Sequence, residues 1–286
     1  MTGVQRFRGL AVSLVLLAVP GLGCNIVDIG GPEPQDPEPG DVKVLFIGSS
    51  YFTVNDLPGI FEAFADEAGR QVFVRREMTP GYYLDHFAGS FSAARAIREQ
   101  AWDFVVLQGG CQNAAYPESH HLITPSSGYH PVLPALDQLR RKVAHNHGGT
   151  RVVYMMPWAF EDGMTWVKGQ TDTFGDMQLK IRDNVLRWAD SLDLMVAPVG
   201  MAWYDVLREG QTQHYLHTAD WNHPNLRGSY LSAATIFVTL FLESLEGVEF
   251  DGSISPSTAE TLRRSASRTV LDSLSLWNLP SGRSEP

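Results

Sequence analysis

Short apolar segments alternate with helical patterns from residue 42 almost to the end of the chain, and this alternation constrains the fold more than any other feature. The segment Val42–Gly48 (VKVLFIG) ends in glycine, and Asp103–Gln108 and Arg151–Met155 repeat its apolar character. Uninterrupted apolar runs of this length are typical of strands that are buried on both faces of a parallel sheet. Apolar residues at helical spacing follow the strands, as in Leu57–Ala68 and Pro131–His145. We therefore predict an α/β domain with helices on both faces of a mostly parallel sheet.

Two weaker strand patterns, Gln71–Arg75 and Leu194–Val199, bring the predicted strands to five. Further predicted helices are Ser90–Gln100, Met177–Ser191, Leu231–Leu245 and Thr258–Leu276. Five such strands suit a three-layer α/β/α, flavodoxin-like, doubly wound sheet, whose site lies beyond the carboxyl ends of the strands. No internal repeat or second boundary interrupts the pattern, so we predict one domain over residues 42–286. Its long segment Gly109–Tyr129 is weakly patterned and is expected to form an active-site loop or lid.

The N-terminal residues 1–23 are predicted to be a signal peptide. Arg6 and Arg8 precede an apolar run over residues 9–20, which is too short to span a bilayer. The sequence Gly-Leu-Gly-Cys that ends at Cys24 resembles a bacterial lipobox, and that resemblance implies lipidation of Cys24. The alternative is an ordinary signal peptide that is cut near Gly23.

Residues 24–41 are rich in proline and acidic residues and predict an extended tether. We therefore expect an exported protein that is lipid-anchored to a bacterial cell envelope, either periplasmic or at the outer membrane and cell surface. The formal net charge of the chain is −10. An acidic surface argues against a nucleic-acid partner and against a polybasic membrane patch.

Two short motifs carry the residue types that nucleophilic chemistry needs. Ser50 follows the first strand and Gly48, where an open α/β sheet places its chemistry. Asp220 and His223 lie three residues apart near the C-terminal end. A serine nucleophile needs a base to take its proton, and the base needs a carboxylate to hold its tautomer. The sequence thus predicts a triad of Ser50, His223 and Asp220.

The two motifs, GSS at residues 48–50 and DxxHP at residues 220–224, resemble blocks I and V of the SGNH (GDSL-type) serine hydrolases. The segment VLFIGSSYFTVNDLP resembles a branch of that superfamily with an Asn-containing block I, and Ser49 takes the usual Asp or Asn position. The resemblance spans residues 42–245 and implies the flavodoxin-like fold with Ser50 as nucleophile. The Gly-x-Ser-x-Gly motif of the other large serine-hydrolase fold is absent from the sequence.

The resemblance also implies an oxyanion hole. Its donors would be the Ser50 backbone N–H, the block II Gly81 N–H and a side-chain amide from block III. The block III position falls on Gln112, with Asn113 one residue late, and both remain candidates. Gln108, at the strand end, is a third candidate and a possible substrate contact.

The resemblance implies ester substrates, and export with a tether favours O-acetylated extracellular or cell-wall polysaccharide. Trp221 and Tyr82 are the aromatic residues predicted to contact substrate, although a place in the core is favoured for any single aromatic near the strand ends. No metal and no organic cofactor is required for this chemistry. The alternatives are a lipase or phospholipase of the same fold and a non-catalytic, glycan-binding surface lipoprotein.

Overall fold

The structure is a computed structural model, and it describes residues 36–119, 128–165, 171–208 and 210–281. All of these except Asp36 belong to one compact unit, Pro37–Pro286. The predicted signal peptide, Cys24 and most of the predicted tether lie outside the described residues. Within the described ranges, no helix is both long and apolar enough to cross a membrane.

Five parallel strands form one sheet in the order β2-β1-β3-β4-β5. They are β1 Val42–Gly48, β2 Val72–Met78, β3 Phe104–Gln108, β4 Arg151–Met155 and β5 Met195–Ala197. Parallel pairing joins every neighbouring pair of strands in the sheet. This is the doubly wound order predicted from the alternating pattern, and the direction of winding reverses between β1 and β3. The carboxyl ends of those two strands therefore bound the crevice where a site is expected.

Helices cover both faces of the sheet. In chain order they are α1 Ser50–Thr53, α2 Leu57–Glu67, α3 Leu84–Gly89, α4 Phe91–Glu99, α5 Cys111–Ala115, α6 Val132–Asn146, α7 Phe174–Leu192, α8 Val199–Leu207, α9 Leu226–Phe241 and α10 Pro256–Leu271. Helices α2, α8, α9 and α10 pack together in one layer, and α3 to α7 form the other. The three-layer α/β/α prediction is thus confirmed.

Differences from the predicted elements have local causes. Strand β2 continues to Met78, beyond the predicted end at Arg75, because it is an edge strand whose half-exposed positions tolerate charged residues. Helix α9 begins at Leu226 instead of Leu231 because the Asn225 side chain caps its first turn. Helices α1, α3, α5 and α8 were not predicted; the first three have only four to six residues, too few to show a helical period.

Helix α9 is buried on almost every side between α2, α8 and α10. A helix enclosed in this way must be apolar all round or satisfy its own polar groups. The hydroxyls of Ser232, Thr235 and Thr239 each donate to the carbonyl four residues earlier, at 2.7–2.8 Å. Helix α9 therefore has no unsatisfied side-chain hydroxyl. It directly follows the segment that contains Asp220 and His223, the Asp–His segment, and it holds that segment against the core.

Gly228 lets the start of α9 approach its neighbours closely. A Cβ added at Gly228 would lie 2.4 Å from the Leu216 carbonyl oxygen and 2.6 Å from the Trp203 ring. We expect Gly228→Ala to lower the free energy of unfolding by about 3 kcal/mol, because backbone and a buried ring would have to shift. Urea unfolding measures the loss, with Gly89→Ala as the control, since a Cβ at Gly89 meets nothing within 4 Å. A Gly228→Ala protein as stable as Gly89→Ala would contradict this account.

Candidate active site

The turn after β1 presents Ser50 at the switch point of the sheet. The side chain of Gln108, at the end of β3, accepts a hydrogen bond from the Ser49 backbone N–H at 2.6 Å. A Cβ at Gly48 would lie 2.7 Å from the Gln108 Oε1 atom, so only glycine leaves room for this contact. The chain then enters α1 at Ser50. This hydrogen bond thus joins the carboxyl ends of β1 and β3 next to the predicted nucleophile, Ser50.

The Asp–His segment forms a closed loop between residues 217 and 224. His217 and Pro224 form an isolated antiparallel bridge, and the Thr218 N–H donates to the His223 carbonyl at 2.8 Å. Within the loop, the Oδ1 atom of Asp220 accepts from the Asn222 N–H at 3.0 Å and the His223 N–H at 2.9 Å. Short aspartate side chains commonly stabilise turns in this way. The spacing of three residues therefore has a structural reason as well as a chemical one.

The structure brings the three predicted triad residues into one hydrogen-bonded line. His223 Nε2 lies 2.9 Å from Ser50 Oγ, and His223 Nδ1 lies 2.6 Å from Asp220 Oδ2. Both distances are within the range expected of a nucleophile–base pair and of a base–carboxylate pair. The imidazole therefore has the carboxylate on one nitrogen and the serine hydroxyl on the other.

Asp220 is held in its charged form. Partial burial raises the pKa of Asp220, but hydrogen bonds from Thr218, His223 and Asn222 outweigh that effect and hold the pKa well below its usual value. An ionised Asp220 favours the tautomer with a proton on His223 Nδ1, which leaves Nε2 free to accept a proton from Ser50. The arrangement can thus carry out general base catalysis at neutral pH.

Two asparagines attach the Asp–His loop to the rest of the molecule. The Asn225 amide donates to the carbonyls of His214, Tyr215 and His217 at 2.9–3.0 Å. The Asn55 amide donates to the Pro224 carbonyl at 3.2 Å. Asn55 lies just after α1, in the block I segment. The serine and histidine segments are therefore joined by hydrogen bonds that are independent of the triad.

The predicted backbone donors of the oxyanion hole are at the carboxyl ends of β1 and β2. Ser50 opens α1, and N–H groups in the first turn of a helix have no intrahelical partner. Gly81 lies three residues after the end of β2 and is exposed. Its φ of +80° favours glycine. Among the described residues, no acceptor bonds to the Gly81 N–H.

The structure separates the two candidate amides of block III. Asn113 is 1% exposed, and its Nδ2 donates to the His130 carbonyl at 3.2 Å. Its prediction as an oxyanion donor is therefore wrong, since substrate cannot reach this buried side chain of α5. Gln112 is partly exposed, with Nε2 3.4 Å from Tyr83 Oη. Gln112 is accordingly the block III amide that an oxyanion could reach.

Gln108 also needs correction. It was predicted as a substrate contact and as a third oxyanion candidate, but its side chain is 2% exposed. Its Nε2 donates to the Gly109 carbonyl at 2.8 Å, and its Oε1 accepts from Ser49. Because both ends of the amide are used within the protein, Gln108 shapes the turn before Ser50 and does not face substrate.

The two aromatic residues predicted to contact substrate are on the surface. Trp221, between Asp220 and His223 in the chain, is 48% exposed and has a φ of +61°. Tyr82, which follows Gly81, is 44% exposed. By contrast, Trp158 and Trp203 are fully buried and stack on each other with ring centres 4.3 Å apart. Those two indoles belong to the core beneath the Asp–His loop.

His217, at the start of the Asp–His loop, is buried. Its Nε2–H donates to the Ala159 carbonyl at 3.0 Å, and its ring lies edge-on to Trp203. No short motif marked this position, and the apolar neighbour Leu216 is the only local signal of burial.

Burial lowers the pKa of His217 below its usual value of 6.5. The unfolded chain therefore binds this proton more readily than the folded chain does. The stability that neutral His217 contributes is complete above about pH 6.5 and is lost as the pH falls toward its folded-state pKa. We expect the melting temperature to fall less between pH 7.5 and pH 5 in His217→Gln than in the parent protein. An identical slope in both proteins, or the same change in the exposed His145→Gln control, would contradict the assignment.

Among the described residues, Asp85, His86 and His130 form a group of metal-ligand type. Their ligand atoms are already paired with protein groups. The Tyr83 N–H donates to His86 Nδ1 at 2.9 Å, and His130 Nδ1 lies 3.0 Å from Asp85 Oδ2. Tyr83 also stacks on His130. These contacts therefore attach α3 to His130, and the triad chemistry does not use this group.

Comparison of the chain with known proteins defines the class of fold. No model of a known protein family matches the sequence, and no curated protein matches it. Solved structures do match. A DUF4886 family protein from Bacteroides uniformis is 15% identical, with a TM-score of 0.65, over 81% of this chain and 95% of that one.

Two further matches name a class of protein. A candidate SGNH hydrolase from Slackia heliotrinireducens is 22% identical over 70% of this chain and 99% of that one, with a TM-score of 0.53. The acetylxylan esterase Axe2 from Geobacillus stearothermophilus is 18% identical over 71% of this chain and 96% of that one, with a TM-score of 0.52. The chain has the SGNH hydrolase fold, as its resemblance to that family implied.

Proposed function

We propose that the protein is a serine hydrolase of carboxylic esters that uses Ser50, His223 and Asp220. The observation that carries the proposal is the position of His223, whose two nitrogens contact Ser50 Oγ at 2.9 Å and Asp220 Oδ2 at 2.6 Å. A histidine that is only buried, or that only caps a helix, needs a hydrogen-bond partner on one of its nitrogens. A histidine between an ionised carboxylate and a serine hydroxyl at a sheet switch point is suited to activating that serine.

The reaction is an acyl transfer in two steps. His223 takes the Ser50 proton as Oγ attacks the ester carbonyl, and it then returns that proton to the leaving alcohol. Asp220 stabilises the charged imidazole. The N–H groups of Ser50 and Gly81 and the Gln112 amide stabilise the oxyanion. Water, deprotonated by His223, then attacks the acyl-enzyme and releases the acid with Ser50 restored.

O-acetylated polysaccharide is the proposed substrate class. An acetyl group needs only a small pocket for the acyl part of the substrate, whereas a polysaccharide needs an open surface with aromatic side chains. Trp221 is half-exposed within the Asp–His loop, and its carbonyl accepts the Glu161 N–H at 2.9 Å. Glu161 lines an open cleft of about 810 Å³ whose wall includes Phe174 and Tyr204. Sugar rings beside the acetylated residue could occupy this cleft. The similarity of the fold to an acetylxylan esterase also supports this class.

Acetate release from acetylated xylan and from acetylated peptidoglycan tests the substrate class, with Ser50→Ala protein as the background. Release well above that background supports deacetylation. Release at the background rate, combined with faster cleavage of longer acyl esters in a p-nitrophenyl series, would replace deacetylation with lipase activity. Failure on every ester would remove the hydrolase proposal altogether and leave glycan binding as the next question.

The cellular location remains part of the proposal. We propose export through residues 1–23 and anchoring through a lipid on Cys24, because the sequence places a lipobox-like segment before a proline-rich tether. Labelled palmitate incorporation in cells, lost in Cys24→Ala, is the expected result. Incorporation that persists in Cys24→Ala would overturn the anchor.

A further inference from the structure

The hydroxyl of Tyr51 has no role in the acyl-transfer steps, yet it contacts two of the segments that those steps use. Tyr51 follows Ser50 in α1, and its side chain is buried. Its Oη donates to Asn222 Oδ1 at 2.5 Å and lies 3.2 Å from Cys111 Sγ. Asn222 precedes His223 in the chain, and Cys111 precedes Gln112. One oxygen atom therefore contacts the immediate neighbours of the base and of the accessible block III amide.

The Tyr51 ring is itself held firmly in place. It stacks on Trp158 with ring centres 4.4 Å apart, and Trp158 Nε1 donates to the Asn222 carbonyl at 2.9 Å. The two aromatic residues thus hold Asn222 at both its side chain and its backbone. Trp158 stacks in turn on buried Trp203. The Asp–His loop is consequently fastened to the core at the residue next to His223.

The Tyr51 contact persists across the neutral pH range. Burial raises the pKa of Tyr51 well above its usual value, and burial raises the pKa of the Cys111 thiol to about 12. Both groups therefore keep their protons. A neutral hydroxyl can donate to Asn222, and a neutral thiol places no charge beside the triad.

We propose that Tyr51 is a positioning residue whose hydroxyl, through Asn222, sets the alignment of His223 with Ser50. The inference rests on the proposed hydrolase function. Tyr51 does not touch the reacting atoms. It acts by holding the loop that carries the base in register with the helix that carries the nucleophile, so that the proton transfer geometry exists before substrate binds.

The first test is Tyr51→Phe, which removes only the hydroxyl. Small misalignments of reacting groups cost large factors in rate, so we expect kcat for p-nitrophenyl acetate to fall about tenfold to a hundredfold, with KM within about twofold. Tyr154→Phe is the matched control. Tyr154 is equally buried, and its hydroxyl has no hydrogen-bond partner among the described residues. We expect Tyr154→Phe to retain the parent kcat.

A double-mutant cycle separates positioning from general stability. Tyr51→Phe and Asn222→Ala remove opposite ends of one hydrogen bond, so their effects on kcat should be strongly non-additive. Rates are measured far below the melting temperature of each variant, where all are folded. Additive losses in kcat would show that the two side chains act separately and would overturn the proposal.

A third measurement does not depend on ester hydrolysis. The proton on His223 Nδ1, between imidazole and the Asp220 carboxylate, should give a far-downfield ¹H NMR signal that is absent in His223→Ala. In Tyr51→Phe this signal should shift upfield or broaden, while Tyr154→Phe leaves it unchanged. If the parent protein hydrolyses no ester, the proposed function fails, yet the NMR comparison still tests positioning. An unchanged signal in Tyr51→Phe would overturn the inference.

Discussion

Replacing Ser50 with alanine is expected to lower kcat for p-nitrophenyl acetate by about a thousandfold or more, because Ser50 is the one hydroxyl in the described part of the chain that hydrogen-bonds to His223 Nε2. His223→Ala should cause a loss of the same order, since the serine then has no base. The double variant should be no slower than either single variant, because the two side chains act as one unit. Steady-state kcat values for p-nitrophenyl acetate, measured on a protein of residues 41–286 and on its three variants, check all three expectations.

The neighbouring serine supplies the matched control. Ser49 is also at the end of β1, but its hydroxyl lies 3.3 Å from Gln108 Oε1 and not beside His223. We expect Ser49→Ala to retain kcat within about tenfold of the parent, since it removes one polar contact and no reacting atom. The opposite order of effects, with Ser49→Ala inactive and Ser50→Ala active, would refute the assigned nucleophile.

Asp220→Asn is expected to lower kcat by about a hundredfold to ten-thousandfold at neutral pH without unfolding the loop. The amide would turn an N–H toward His223 Nδ1 and so favour the tautomer with its proton on Nε2, which cannot accept from Ser50. The amide oxygen could still accept from the Asn222 and His223 N–H groups that Asp220 now holds. Loss of kcat with little change in melting temperature is therefore the expected pattern.

Asp251→Asn is a suitable comparison for Asp220→Asn. Asp251 also stabilises a surface turn, by accepting from the Ser253 N–H at 3.0 Å, but it lies outside the candidate site. Its replacement should leave kcat unchanged. If Asp220→Asn were also to keep the parent kcat, the carboxylate would have only a structural role in the loop, and a triad mechanism would no longer apply.

The sheet and the long helices could be predicted because their signals are local. Buried parallel strands give continuous apolar runs, and α6 and α7 have clear helical periodicity. The short helices α1 and α5 are determined by contacts with distant segments, such as the Tyr51 contacts with Asn222 and Cys111. A pattern that extends over four or five residues cannot reveal those contacts.

The same distinction applies to the candidate site. The positions of Ser50, Asp220 and His223 were predicted because two short motifs contain them. Asn113 and Gln108 were misjudged because counting along the chain does not show which side chains of β3 and α5 turn inward. The burial of His217 was missed for a related reason, since its burial comes from Trp203 and Ala159, both distant in sequence.

Ser50 and His223 are separated by 173 positions in the chain, and Asn55 joins the same two segments at Pro224. A nascent chain whose last quarter has not yet been synthesised contains Ser50, the proposed nucleophile, but not His223, the proposed base. Contacts of such long range also form late, since closing a large loop is entropically costly. The onset of the proposed esterase activity during refolding should therefore lag behind the recovery of helical circular dichroism, and turnover would report the docking of the His223 segment as a late event in folding.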